Sequence, residues 1–360
     1  MFSPPHKSRR DFLQKSFDSF LGEISDLIDV KKPLAFLGMD RSYVKMRRPA
    51  MAADFEVIFG AYESAEARKI GMEALDEIDR IEAILNIWKG ECELARVNRE
   101  AAAHPVAVGE EIFNLVQLAK RVYEESEGAY DITSTPLTRC WGFFTRQGRI
   151  PPEEELESAR SRVGMEHVIL DEENRTLFFE KEGIELSPAS LGKGFALDYA
   201  MKVARERGLK DVLLNGGYSS VLASGAPAWK EAWQIDVQNP VEGKPPFAHL
   251  QLRNQGFSSS GSALQFFVQD GKKYGHIIDP RTGRPTETML NVNVVAATAA
   301  EAEAWSTAFY VMGVEKTLKY CENRKDIGVL LLGLPDEQGN AEVITSNLAE
   351  DQVEVLNVSC

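Results

Sequence analysis

Tyr274-Gly275-His276-Ile277-Ile278-Asp279-Pro280-Arg281-Thr282-Gly283-Arg284-Pro285 is the stretch from which the rest of the chain is best read. Ile277 and Ile278 form a short buried run, and Asp279-Pro280 with Gly283 supply the turn that ends it. A histidine on the last residues of a buried strand, beside a rigid turn, is held still and suits acid–base work near neutral pH. The same residues equally describe a core histidine next to an ordinary Asp-Pro turn. Nothing inside the stretch separates the two readings.

Working outward, short apolar runs predict strands near 264–268 and 291–296, with helices over 299–312 and 314–322 and closing strands near 327–332 and 341–345. Upstream, Phe55–Gly60 alternates as a strand and stops at glycine. Apolar stripes predict helices from about Ser64 to Leu85 and from Glu110 to Glu125, the latter capped near Gly128. Residues 86–98 read as a loop and short helix carrying Trp88. A hairpin is expected over 167–179, then a helix from about Gly194 to Arg207 with Asp198 on its exposed side. Asp211–Leu214 reads as a buried strand ending in Asn215-Gly216-Gly217, and further strands follow near 219–223, 232–237 and 248–252. Strands with turns between them, interrupted by separate helices, make an α+β chain with mixed, mostly antiparallel sheets. No 20–50-residue repeat is present.

Composition narrows the function. With 44% hydrophobic and 27% charged residues the 360-residue chain is an ordinary globular protein, long enough for a substantial core. A formal net charge of −14 argues against non-specific binding to nucleic acid or anionic membrane. An anionic ligand would therefore need local help from lysines, backbone amides or a divalent cation. Cys92, Cys140, Cys321 and Cys360 form no CxxC pair, which favours neither a zinc site nor a disulfide framework. No apolar run approaches the roughly 18–20 residues of a membrane span.

Ser8-Arg9-Arg10-Asp11-Phe12-Leu13 looks like a twin-arginine export signal. The uncharged segment that must follow is missing, because Lys15, Asp18, Glu23, Asp26 and Asp29 interrupt it. Leu13, Phe17, Phe20, Ile24 and Leu27 instead predict an amphipathic helix. The motif reads as a relic or a coincidence, and the balance leans to the cytoplasm. The sequence predicts an extension over 1–40, a main domain over 41–350 and a tail over 351–360.

Three loops can together hold a phosphate-bearing ligand. Gly192-Lys193-Gly194 enters a helix, so backbone N–H groups, a helix N-terminus and a lysine converge there, although a plain tight turn has the same residues. Asn215-Gly216-Gly217 permits close backbone approach to a ligand, and is equally a strand-end turn. Glu303 and Thr307, four apart on one helix face, offer two oxygens to a hard cation such as Mg²⁺. Alternatively Glu303 faces solvent and Thr307 bonds back to its own helix. Trp88 and Tyr130 are candidates to stack on a flat ring. The absence of GxGxxG, GxSxG and HExxH weakens nicotinamide oxidoreductase, serine hydrolase and zinc protease readings.

Taken in order, these stretches resemble one family, the FAD:protein FMN transferases or ApbE-type flavin transferases. Tyr274–Pro285 resembles the family's HxIDPxTGxP motif, and Asp131–Phe143 its Asp…Thr…Pro-Leu…Trp-Gly-Phe motif. Gly192–Asp198 resembles the lysine–glycine helix start, and Ala302–Phe309 the metal-binding helix. The resemblance runs from about Met51 to Gly313. It implies a two-lobed α+β fold related to the T-fold, in which FAD is bound with Mg²⁺ on its pyrophosphate. A threonine or serine hydroxyl of a target protein then attacks the FMN phosphorus and AMP leaves.

Carried over by position, Met51, Trp88, Ala129, Tyr130, Asp131, Ser187, Lys193 and Ile277 would contact FAD. Ser190, Glu303 and Thr307 would hold Mg²⁺, and His276 would be the base. The chain departs from the family pattern in four places. Met51-Ala52-Ala53 stands for Met-Gly-Thr, and Ser187-Pro188-Ala189-Ser190 for Asp-Leu-Gly-Gly. Tyr218 takes an acidic position, and Glu303 replaces the metal aspartate. Two further functions use the same residues. One is a flavin-binding or interaction module without transfer. The other is an FAD pyrophosphatase, in which water replaces the acceptor hydroxyl.

Overall fold

Eight strands that follow one another along the chain also lie side by side in the main sheet. They are Tyr43–Ala50 (β1), Ala53–Gly60 (β2), Val212–Gly216 (β3), Ser220–Ser224 (β4), Gly256–Ser260 (β5), Asn291–Ala296 (β6), Gly328–Leu332 (β7) and Val343–Ser346 (β8). Every neighbouring pair is antiparallel. The computed structural model describes residues 43–60, 65–241, 243–262 and 265–356. The twin-arginine motif and the amphipathic helix expected behind it lie outside the described residues.

Period-two alternation gives the sheet two apolar faces. Phe55, Val57 and Phe59 of β2, with Val212 and Leu214 of β3, face a layer of helices; Ile58 and Leu213 face the other way. The helical layer contains Ala65–Leu85 (α1), Glu110–Glu125 (α2), Gly192–Glu206 (α3) and Ala299–Met312 (α4). α4 is buried nearly all round, with Trp305, Phe309 and Tyr310 wholly enclosed. The opposite face is closed by a small sheet of Trp233–Val237, Ala248–Leu252 and Val353–Val355. Its last strand comes from the stretch set apart as a tail. A third apolar cluster holds Leu137, Trp141, Phe143, Leu156 and Ile278, and forms a separate, smaller lobe.

The expected α+β architecture with mostly antiparallel sheets is therefore observed. Several elements were not expected. β1 carries Lys45, Arg47 and Arg48 in a strand that pairs along its whole length with β2. β5 is Gly-Phe-Ser-Ser-Ser, a strand of poor β-formers whose polar residues face polar partners. The strand expected near 264–268 is Phe266–Gln269, paired to Lys272–Gly275. Short helices also occupy Thr135–Cys140 and Glu153–Arg160.

Two helices are locked by reciprocal carboxylates. Asp198 of α3, expected on the exposed side, instead turns to the start of α4. There its Oδ1 accepts from Ala299 N at 2.8 Å and its Oδ2 from Ala300 N at 3.0 Å. In return, Glu303 of α4 accepts from the amide of Gly194, in the first turn of α3, at 2.7 Å. Both carboxylates satisfy helix-start N–H groups that have no partner inside their own helix. The contact is so close that a Cβ on Gly194 would run into the Ala299 backbone. Gly194 is thus a packing glycine, and its amide is already spent. Gly194→Ala should lower stability by about 1–3 kcal/mol, the usual cost of overpacking a close contact. Urea unfolding measures this directly, and an unchanged midpoint would show that the helices can part without loss.

Candidate active site

Between the main body and the smaller lobe lies a cleft of about 790 Å³. His276, Ile277, Lys193, Glu303, Thr307 and Ser190 all line it, although they come from three separate stretches of chain. Trp88, Ala129, Tyr130, Asp131 and Ser187 line it as well; Met51 does not. Met51 is left-handed at the β1–β2 turn, together with Ala52, and packs against the main core.

His276 does not sit on a strand. It occupies the link between Lys272–Gly275 and the two-residue strand Ile278–Asp279, which pairs with Arg284–Pro285. Its backbone N–H donates to the Gln265 carbonyl at 3.1 Å, and its Nδ1 lies 3.2 Å from the same oxygen. A carbonyl only accepts, so Nδ1 carries the proton and Nε2 of the neutral ring is the basic atom. The following turn is built on Asp279. Its backbone oxygen accepts from Gly283 N at 2.8 Å, and its carboxylate holds Arg281 through Nε at 2.8 Å and NH2 at 2.9 Å. Trp141 fixes this turn to the smaller lobe, donating from Nε1 to the Gly283 carbonyl at 2.8 Å and packing on Tyr274. The Trp-Gly-Phe stretch is therefore the mount for the histidine loop.

On the opposite wall, the half-buried Lys193 forms an ion pair with Oε1 of the buried Glu303. The same oxygen accepts from Ser220 Oγ at 3.0 Å, while Oε2 takes the Gly194 amide. Glu303 is 4% exposed, so the solvent-facing alternative does not hold. Thr307 does bond back to its helix, donating to the Glu303 carbonyl at 3.3 Å, and the residue still lines the cleft. Ser190 donates to the Tyr130 hydroxyl at 3.0 Å.

The donor set suits a hard cation. Carboxylate and hydroxyl oxygens are the ligands Mg²⁺ takes, and the Lys193 ammonium already stands as a positive charge on Glu303. Among the described residues no three histidine, cysteine or acidic side chains gather at one point. A single carboxylate fits an ion shared with ligand phosphates better than one caged by protein.

Asp131 and Tyr130 line the cleft with polar atoms that already have partners in the protein. Both Asp131 oxygens serve its own loop, Oδ1 accepting from Thr133 N at 2.7 Å and Thr133 Oγ1 at 2.6 Å, and Oδ2 from Met165 N at 3.1 Å. Tyr130 is buried, and burial holds its hydroxyl well above the usual phenol range. Trp88, 59% exposed, meets Phe144 edge-on at 4.6 Å on the rim. Sequence reasoning missed Gln265 and Ser220. Neither carries a distinguishing signal, since each acts through a neighbour brought close only by folding.

The ApbE family model matches residues 51–331. The chain belongs to the ApbE family. An FAD:protein FMN transferase of Escherichia coli K12 is 29% identical over 278 residues, spanning 76% of this chain and 78% of that protein. One from Vibrio cholerae is 28% identical, spanning 72% and 79%. The crystal structure of the ApbE protein of Thermotoga maritima superposes with a TM-score of 0.74 at 27% identity, covering 84% of this chain and 97% of that one. The flavin transferase ApbE of V. cholerae, at 24% identity, shares the fold with a TM-score of 0.75 over 85% of this chain and 98% of that one. No helix among the described residues is long and apolar enough to cross a membrane.

Two measurements test the mount and the loop. Trp141→Phe leaves the Gly283 carbonyl without its donor and should cost about 1–3 kcal/mol in urea unfolding. Asp131 has its carboxyl pushed up from 3.8 to about 6 by burial. The folded state therefore binds more protons between those values, and the stability this group contributes falls as pH rises from about 4 through about 6. The destabilisation caused by Asp131→Asn should accordingly be larger at pH 4 than at pH 7; an equal penalty at both would contradict the assignment.

Proposed function

We propose that this chain transfers the FMN half of FAD to a threonine or serine hydroxyl of an acceptor protein and releases AMP. The observation that carries the reading is the meeting, in one cleft, of a fixed histidine with a half-buried lysine paired to a buried carboxylate. A diphosphate brings negative charge into an acidic protein, and Lys193 is placed to meet it. Phosphoryl transfer is mostly positioning and charge neutralisation. His276 Nε2 accepts the proton of the acceptor hydroxyl as its oxygen forms a bond to the FMN phosphorus. The P–O bond to the AMP phosphate breaks, and AMP leaves with the electron pair. Nδ1–H, donating to the Gln265 carbonyl, keeps the ring in the required tautomer.

Mg²⁺, which Ser190, Glu303 and Thr307 would hold, supplies further neutralisation of the two phosphates when bound. Tyr218, where the family pattern has an acid, removes one negative charge from the cleft wall and leaves Glu303 as the carboxylate available to the ion. The names of the relatives support FAD as the flavin donor.

Incubation with FAD, Mg²⁺ and an acceptor protein should release AMP and leave flavin fluorescence on the denatured acceptor. His276→Ala should lower that rate roughly 10²–10⁴-fold, the usual contribution of a general base, while FAD still binds. Equal AMP release by the variant and wild type would remove His276 from the chemistry. Free FMN in place of labelled acceptor would mark a pyrophosphatase, and tight FAD binding without AMP a binding module. Chelation by EDTA should suppress transfer, and added Mg²⁺ should restore it.

A further inference from the structure

We infer that Lys193 guards the cation position: its ammonium stays on the Glu303 carboxylate until the diphosphate of FAD draws it off, so that FAD and the divalent cation load together. This rests on the proposed function, and adds to it a rule of order. Glu303 is held by three donors from two other elements, Lys193 and Gly194 of α3 and Ser220 of β4. The Gly194 amide belongs to the helix lock and cannot leave without parting α3 from α4. Oε1 is therefore the oxygen that can exchange partners, and its charged partner is Lys193.

The coupling follows from charge. A divalent cation arriving alone must displace Lys193 and leave two positive groups facing each other with one carboxylate between them. FAD arriving alone draws Lys193 to its phosphates and leaves Glu303 as a buried carboxylate without its cation, beside a dianion. Leaving one member of a buried pair uncompensated is strongly unfavourable. When both ligands arrive, Lys193 pairs with phosphate and the metal pairs with Glu303, so every charge is met. Among the described residues the lysine and arginine side chains lining the cleft are Lys193 and Arg146, and Lys193 shares that lining with Thr307 and Ser190. Lys193 is thus a positioning residue for the cation and a binding residue for the diphosphate.

Mn²⁺ serves as the probe, because loss of the hydrated Mn²⁺ signal in electron paramagnetic resonance reports binding without turnover. The purified full-length chain is titrated with Mn²⁺ alone and with saturating FAD, against an FAD-only blank. FAD should tighten Mn²⁺ binding by about 5–150-fold, and Mn²⁺ should tighten FAD binding, read by flavin fluorescence, by the same factor. Lys193→Met should bind Mn²⁺ without FAD, and the coupling should fall towards one. Equal Mn²⁺ affinity in the free and FAD-loaded wild type would overturn the inference while leaving FAD binding intact. So would tight FAD binding with no Mn²⁺ uptake, since Lys193 would then be the permanent cation. Failure of FAD to bind at all, seen in the fluorescence titration, would take down the proposed function and this inference with it. The wild-type comparison needs no variant to fold.

Discussion

Two carboxylates exchanged between two helices hold this molecule in register. Asp198 reaches from α3 to the opening amides of α4, and Glu303 reaches back to the opening amide of α3. Neither helix can slide or turn without stripping a buried acceptor from its donors, at a cost of the order of 1–3 kcal/mol for each group left bare. Gly194 makes the approach close enough for both bonds to form. The lock also brings the chemistry together. It delivers Lys193 and Glu303 to one point of the cleft and sets Thr307 one turn further along the same face.

Glu303 consequently serves structure and site at once. One oxygen belongs to the helix lock and the other to the ion pair with Lys193. A shorter side chain at this position would have to give up part of that span. The departure from aspartate is thus tied to the way α3 and α4 meet in this chain. The opposite wall is independent of it: His276 is positioned by Gln265, and the turn after it by Asp279 and Trp141.

Much of this was legible in the residues. Apolar periodicity located β2, β3, β6, β7 and the long helices, and the ordered motifs identified which loops share a cleft. What escaped has physical causes. β1 is a charged edge strand whose Lys45 and Arg47 pair with Glu56 and Asp54 across the hairpin, so alternation in hydropathy does not mark it. β5 has a single apolar side chain, Phe257, among glycine and three serines, and its strand conformation comes from neighbours on both sides. Asp198 looked exposed because helical periodicity describes one helix at a time, whereas its partner is the end of another. Ser220 and Gln265 act through contacts that exist only after folding. Met51, expected at the flavin site, sits half-buried against the core at the β1–β2 turn and is not among the residues lining the cleft.

In the main sheet, neighbours in space are neighbours in the chain. The cleft is consequently walled by excursions that leave one strand and return to the next, from the long one between β2 and β3 to the short one between β3 and β4. The entropy of closing such an excursion grows only with the logarithm of its length. Additions or deletions in the walls therefore cost the scaffold little, provided their ends stay side by side. Such a frame lets the cleft walls change their length and shape while the strands, the helix lock and the histidine loop keep their places.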